Sequence, residues 1–134
     1  MKNILATLLL SFFLMGISCE KTGVTYTTEP FRVKIISEIC GTAVVQIQDE
    51  VFYKYGTDGF IKEGVTYNHV FTTQFSCADL AKLQSLTANK TGLVIKIQLI
   101  NSAIVEPNCV RCEATVSNAP SLFQHLSLTQ DWSN

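Results

Sequence analysis

Three features of the sequence predict a mainly β fold: short apolar segments in two-residue alternation, turn-forming residues between them, and a single stretch at helical spacing. We expect a small antiparallel β-barrel, OB-like, with one short helix, because a sheet of this size must manage its edges. A β-sandwich with an inserted helix is the alternative that the same strand pattern allows. A chain of 134 residues fits one domain.

The first strand is read from Phe31 to Ser37, where Phe31, Val33 and Ile35 alternate with Arg32 and Lys34. Cys40-Gly41 interrupts the pattern before Ala43 to Gln48 resumes it, so one long bent strand or a tight pair both fit. Val51 to Tyr55 reads as another strand, ended by the turn cluster Gly56-Thr57-Asp58-Gly59. Val65 to Phe75 reads as the next.

Ser76 fits a helix N-cap with Asp79 at the third helical position, and Leu80, Leu83 and Leu86 follow at helical spacing until Asn89 to Gly92 ends the run. Leu93 to Ile100 is a strand covered on both faces. Pro107-Asn108 turns the chain, Cys109 to Val116 alternates as a further strand, and Leu122, Leu126 and Leu128 mark a final short one.

The N-terminus carries a different signal. Lys2 precedes an apolar stretch from Ile4 to Ile17, followed by Gly16-Ile17-Ser18-Cys19 at its end, the layout of a secretory signal peptide. The stretch is shorter than the roughly 20 residues of a spanning helix. Met15 to Cys19 resembles a bacterial lipobox, with Gly16 and Ile17 departing from its commonest residues. We therefore divide the chain into a signal peptide (1–18), a lipidated N-terminus and flexible tether (19–30), and a β domain (31–134). Glu20 to Pro30 is polar and rich in Thr, and eleven extended residues reach on the order of 40 Å, enough to hold a domain clear of a membrane surface.

Ten basic residues stand against 11 acidic ones, and losing Lys2 with the leader tips the balance further to acid. Without a clustered basic excess, no nucleic-acid partner is expected. The membrane, through the lipid anchor, is the expected partner, with a protein or glycan as a further ligand.

Five cysteines are odd in number, but a lipidated Cys19 leaves Cys40, Cys77, Cys109 and Cys112 to pair in an oxidising compartment. Cys109-Val110-Arg111-Cys112 also admits a thiol-disulfide oxidoreductase reading, in which one thiolate attacks and the other resolves. That chemistry favours a helix N-terminus, whereas the surroundings read as a strand, where residues three apart face opposite ways. Two structural disulfides, with Cys40 and Cys77 each bonded to one of the later two, are thus expected. A four-cysteine zinc site would need a second CxxC pair, so no metal or other cofactor is expected.

His69 and His125 lack any ligand spacing, and Asp49-Glu50 reads as a solvated turn. Tyr53, Tyr55, Phe60 and Tyr67 cluster around the Gly56 to Gly64 loop. Tyr53 and Tyr55, sharing one face of their expected strand, are the candidate ligand-binding side chains; the alternative is that they pack the barrel end. No catalytic constellation is found.

The lipobox, the early strand before Cys40, Asn68-His69-Val70-Phe71 leading to Cys77, and Cys109-Val110-Arg111-Cys112-Glu113-Ala114 together resemble small Bacteroidota lipoproteins with four cysteines in the mature domain. That family has no established activity. The resemblance spans most of the mature chain and implies fold and location, an outer-membrane anchor in the cell envelope, rather than a specific role.

Overall fold

The computed structural model describes residues 23–129; the expected signal peptide, the Cys19 lipidation site and residues 20–22 of the expected tether lie outside them. Strands β1 (Phe31–Ile39), β2 (Thr42–Ile47), β5 (Val70–Gln74), β6 (Val94–Ile100) and β7 (His125–Leu128) form one antiparallel sheet in the order β5-β2-β1-β6-β7. Strands β3 (Phe60–Lys62) and β4 (Val65–Tyr67) make a separate hairpin, and α1 spans Cys77–Leu86. The sheet curls into a half-barrel. Its outer edges meet at one parallel bridge, Thr72 to Phe123, where the Thr72 N–H donates to Leu122 O and the Gln124 N–H to Thr72 O.

Alternation explains the curl's two faces. Phe31, Val33, Ile35, Ala43, Val45, Ile47, Phe71, Ile95, Ile97, Leu99, Leu126 and Leu128 fill the inside, with Phe75, just after β5, and Leu83 of α1 closing it. Ile36, Val44 and Val70 point outward and are covered by Phe60 of the β3–β4 hairpin. Consecutive Ile35 and Ile36 point to opposite faces by ordinary alternation and both are buried, and the register shifts between Ile35 and Ser37.

Cys40-Gly41 resolves as a tight pair: β1 and β2 form a hairpin with Ile39 opposite Thr42. Both turn residues have positive φ, 55° and 82°, the combination that a two-residue type I′ turn requires and that matches strand twist.

Ser76 caps α1 as expected, its hydroxyl accepting from the Asp79 N–H at 3.0 Å. Leu83 is fully buried and Leu80 packs on the core, but Leu86 is exposed. Successive three-residue steps each fall about 60° short of a full turn, so the third leucine has rotated off the face.

Several elements differ from the sequence reading. Val51 to Tyr55 is not a strand but part of a 3₁₀ helix, Glu50–Tyr55. Phe52 and Tyr55, three apart, fall on one face there and cap the barrel, Phe52 stacking on Phe31 at 4.4 Å. Val65 to Phe75 is two strands, broken at Asn68-His69, where His69 adopts φ 58°. The Gly56 to Gly64 loop contains β3. Cys109 to Val116 is no strand: among the described residues, 101–124 form no ladder, only a strap across the half-barrel and the single bridge at Phe123.

The expected tether is also shorter than composition suggests. The Thr27 N–H donates to Leu99 O, the Asn101 N–H to Thr25 O and the Leu99 N–H to Thr28 Oγ1, so the chain is already bound to β6 by Thr25.

Candidate functional site

The strap carries Glu106, Arg111 and two of the four described cysteines, and it is fastened covalently. Cys40 in the β1–β2 turn is bonded to Cys112, and Cys77, the first residue of α1, to Cys109; the Cα pairs lie 5.7 and 5.9 Å apart. This is the expected pattern, one early cysteine to each late one. The expected reason is not the operative one, because the segment is irregular; Val110 between them is 96% exposed. What separates the two partners is the position of their mates, one in a hairpin turn and one at a helix start. The bond between Cys109 and Cys112 that the oxidoreductase reading needs is not the one formed.

Two polar clamps sit beside the disulfides. Glu106 accepts from the Cys77 N–H at 2.7 Å and the Ala78 N–H at 3.0 Å, filling orphan donors at the start of α1. Those hydrogen bonds, with Arg111 nearby, hold its carboxyl below the usual range. Arg111 donates to Phe75 O at 2.6 Å and lies 3.4 Å from Glu106 Oε2. Cys77, Glu106 and Cys109 come close enough to suggest a metal cage. The donor set does not suit one, since both sulfurs are bonded to each other and the carboxylate oxygens are engaged by N–H groups.

Tyr53 and Tyr55 do not share a face, because the 3₁₀ turn rotates residues two apart away from each other. Both are half-buried and pack against the inner core. Tyr53 lies flat on the His69 ring, centroids 3.7 Å apart and planes within 1°. Asp58 Oδ1 accepts from the His69 backbone N–H at 2.9 Å and stands 3.4 Å from its Nδ1. Gly56 makes this arrangement fit, since a Cβ there would come within 2.6 Å of the His69 carbonyl carbon. His125 lies apart from this cluster, edge-on to Phe123.

Asp49 is more than a solvated turn residue. It accepts from the backbone N–H and Nε of Arg32 at 2.7 and 3.0 Å, and this grip holds its carboxyl below its ordinary value. Sequence reasoning missed three buried polar groups. Asp79 is 4% exposed and accepts from the Leu128 N–H at 3.1 Å, tying α1 to β7; burial pushes its carboxyl up, against the pull of that hydrogen bond and of Lys82. Lys90 meets Glu38 at 3.1 Å in a nearly dry pair, and Glu38 also accepts from the Gly41 N–H. Thr73 Oγ1 is buried with no hydrogen-bond partner among the described residues. The acidic residue three after a serine cap signalled the helix start, but nothing local signalled that its carboxylate would face inward.

Between the end of β1, β3 and residues 115–117 runs a groove of about 300 Å³, lined by Glu38, Ile39, Ile61, Lys62 and Val116 among others. Lys62 there donates to Ile36 O at 2.9 Å. No helix among the described residues is long and apolar enough to cross a membrane. Comparisons with protein-family models, curated proteins and solved structures find no match.

Proposed function

We propose that the chain is the precursor of a cell-envelope lipoprotein, anchored to the outer membrane by lipid on Cys19, whose disulfide-stapled domain is a non-enzymatic binding or structural module. The observation that carries the reading is that Cys109 and Cys112 are each bonded to a distant cysteine, so the CxxC motif is spent on fastening the strap. The lipobox and the resemblance to Bacteroidota lipoproteins support the location.

The half-barrel is read as OB-like. Its five sheet strands, taken in chain order, lie 3-2-1-4-5, with α1 between the third and fourth and the outer edges meeting at Thr72 and Phe123, which supports that identity. OB barrels place polymer ligands on the face of their second and third strands. Here Phe60 of the β3–β4 hairpin covers that face over Val44 and Val70, which favours a protein or glycan contact at the barrel end, where Tyr53 and Tyr55 are the proposed contacts.

Peptide mapping by mass spectrometry, on protein purified from its native membrane without reduction, tests the proposal. Acylated Cys19 with Cys40–Cys112 and Cys77–Cys109 peptides is expected. Unmodified Cys19 would contradict the anchor, and a Cys109–Cys112 bridge with Cys40 and Cys77 free would restore the oxidoreductase reading.

A further inference from the structure

We infer that the surface around Val24, Tyr26 and Val105 lies on the bilayer, seated in the headgroup region of the membrane that carries the lipid on Cys19. This rests on the anchor reading above and adds an orientation to it. The first observation is reach. The chain is pinned to β6 from Thr25 onward, so only residues 20–24 separate Cys19 from the domain, and they span at most about 17 Å when fully extended. The lipidated end therefore keeps the surface nearest Gly23 within that distance of the membrane.

The second observation is what that surface is made of. Gly23 and Val24 share a shallow hollow of about 330 Å³ with Ser102, Ala103, Ile104 and Val105. No charged side chain lines it. Val105 is 90% exposed and Tyr26, paired opposite Ile100, is 55% exposed. Glu106, the nearest carboxylate along the strap, is turned inward onto the start of α1, so its charge is not presented beside Val105. Exposed aliphatic side chains cost free energy in water and gain it at an acyl boundary, and a tyrosine suits the interface by joining an apolar ring to a polar tip. The strap's fastenings thus have a second consequence: they hold this apolar rim at the lipidated end.

The test uses the mature, acylated full chain in vesicles of phosphatidylethanolamine and phosphatidylglycerol carrying quenchers on shallow acyl positions. The single tryptophan is removed by Trp132→Phe, and a reporter is introduced by Val105→Trp or, on the β3–β4 hairpin that shares no residue with the hollow, by Ile61→Trp. Insertion by about 5–10 Å predicts that the Val105→Trp emission falls about twofold or more while that of Ile61→Trp is unchanged. Acylated protein on vesicles with Val105→Trp unquenched, or with both reporters quenched alike, overturns the orientation alone. Unacylated Cys19 in the same preparation overturns the anchor reading and the orientation with it.

Discussion

The curled sheet and the strap of residues 101–124 are held by different physics. In the sheet, strands such as β1 and β2 bury one face in a shared core, and side-chain alternation and the hydrogen-bond ladder specify the same register. The strap has neither a ladder nor a continuous apolar face, and Val105 and Val110 are exposed rather than packed on the core. It stays in place through two disulfides, the Glu106 and Arg111 clamps, and Val116 and Ala119 packed near the hairpin. A segment that cannot bury enough apolar surface to offset its ordering entropy needs a cross-link or specific polar contacts.

The comparison predicts a hierarchy of effects, the largest at the cross-links. Replacing both members of a pair by serine releases loop-closure entropy that grows with span. For each bond closed alone the chain-entropy relation gives about 4.4 kcal/mol for Cys40–Cys112, 72 residues apart, and about 3.7 kcal/mol for Cys77–Cys109, 32 apart. Since the second span lies inside the first, both are upper figures for variants that keep the other bond. Guanidinium unfolding of the two double variants should preserve that order; the reverse order would mean that the α1 end of the strap depends more on its bond than loop length accounts for.

Gly56→Ala should cost about 1–3 kcal/mol in the same assay, because the new methyl meets backbone at His69 rather than a side chain that can rotate away. An unchanged midpoint would show that the Asn68-His69 break is loosely held. Glu106→Gln should cost about 1 kcal/mol by weakening the charge-assisted bonds to the start of α1. Its carboxyl has a lowered pKa in the folded state. The stability it contributes is therefore present above the unfolded value of about 4.3 and lost as pH falls, and the variant should be less acid-sensitive than the wild type.

Asp79 has the opposite sign. Its raised folded pKa gives a contribution present below the unfolded value of about 3.9 and lost as pH rises through the folded one. Asp79→Asn keeps an oxygen for the Leu128 N–H and should flatten that decline between pH 4 and neutrality in thermal melts. The smallest effect belongs to Thr73→Val, which removes a buried hydroxyl without a partner and should be neutral or stabilising by about 1 kcal/mol. A loss of several kcal/mol there would show that the hydroxyl is hydrogen-bonded.

The same division explains what could be read from the sequence. Phe31 to Ser37 and Leu93 to Ile100 were legible as strands because a buried face writes itself into the alternation. The expected cover on both faces of the second is only partial, since Val94 is 40% exposed and Lys96 and Gln98 are half-buried. Ser76 and Asp79 marked α1 because a cap needs particular side chains at particular positions. Val51 to Tyr55 misled because valine and tyrosine favour strands, and the three-residue spacing of Phe52 and Tyr55, which fits their 3₁₀ face, was the signal that competed. Cys109 to Val116 alternates without a neighbouring strand, so its pattern carries no burial information. At the site, cysteine pairing followed from number and compartment, whereas the Tyr53–His69 stack and the Glu106 clamp join residues far apart in the chain and leave no local trace.

The most direct test of the central claim, that the CxxC cysteines fasten the strap and do no exchange chemistry, is the reduction potential of each pair. It would be read by alkylating thiols after equilibration of the native protein in graded redox buffers. Structural cross-links predict that all four cysteines stay protected until the poise falls below about −300 mV. Alkylation of Cys109 and Cys112 near about −200 mV, with the fold intact, would contradict the account and mark the motif as a working redox pair.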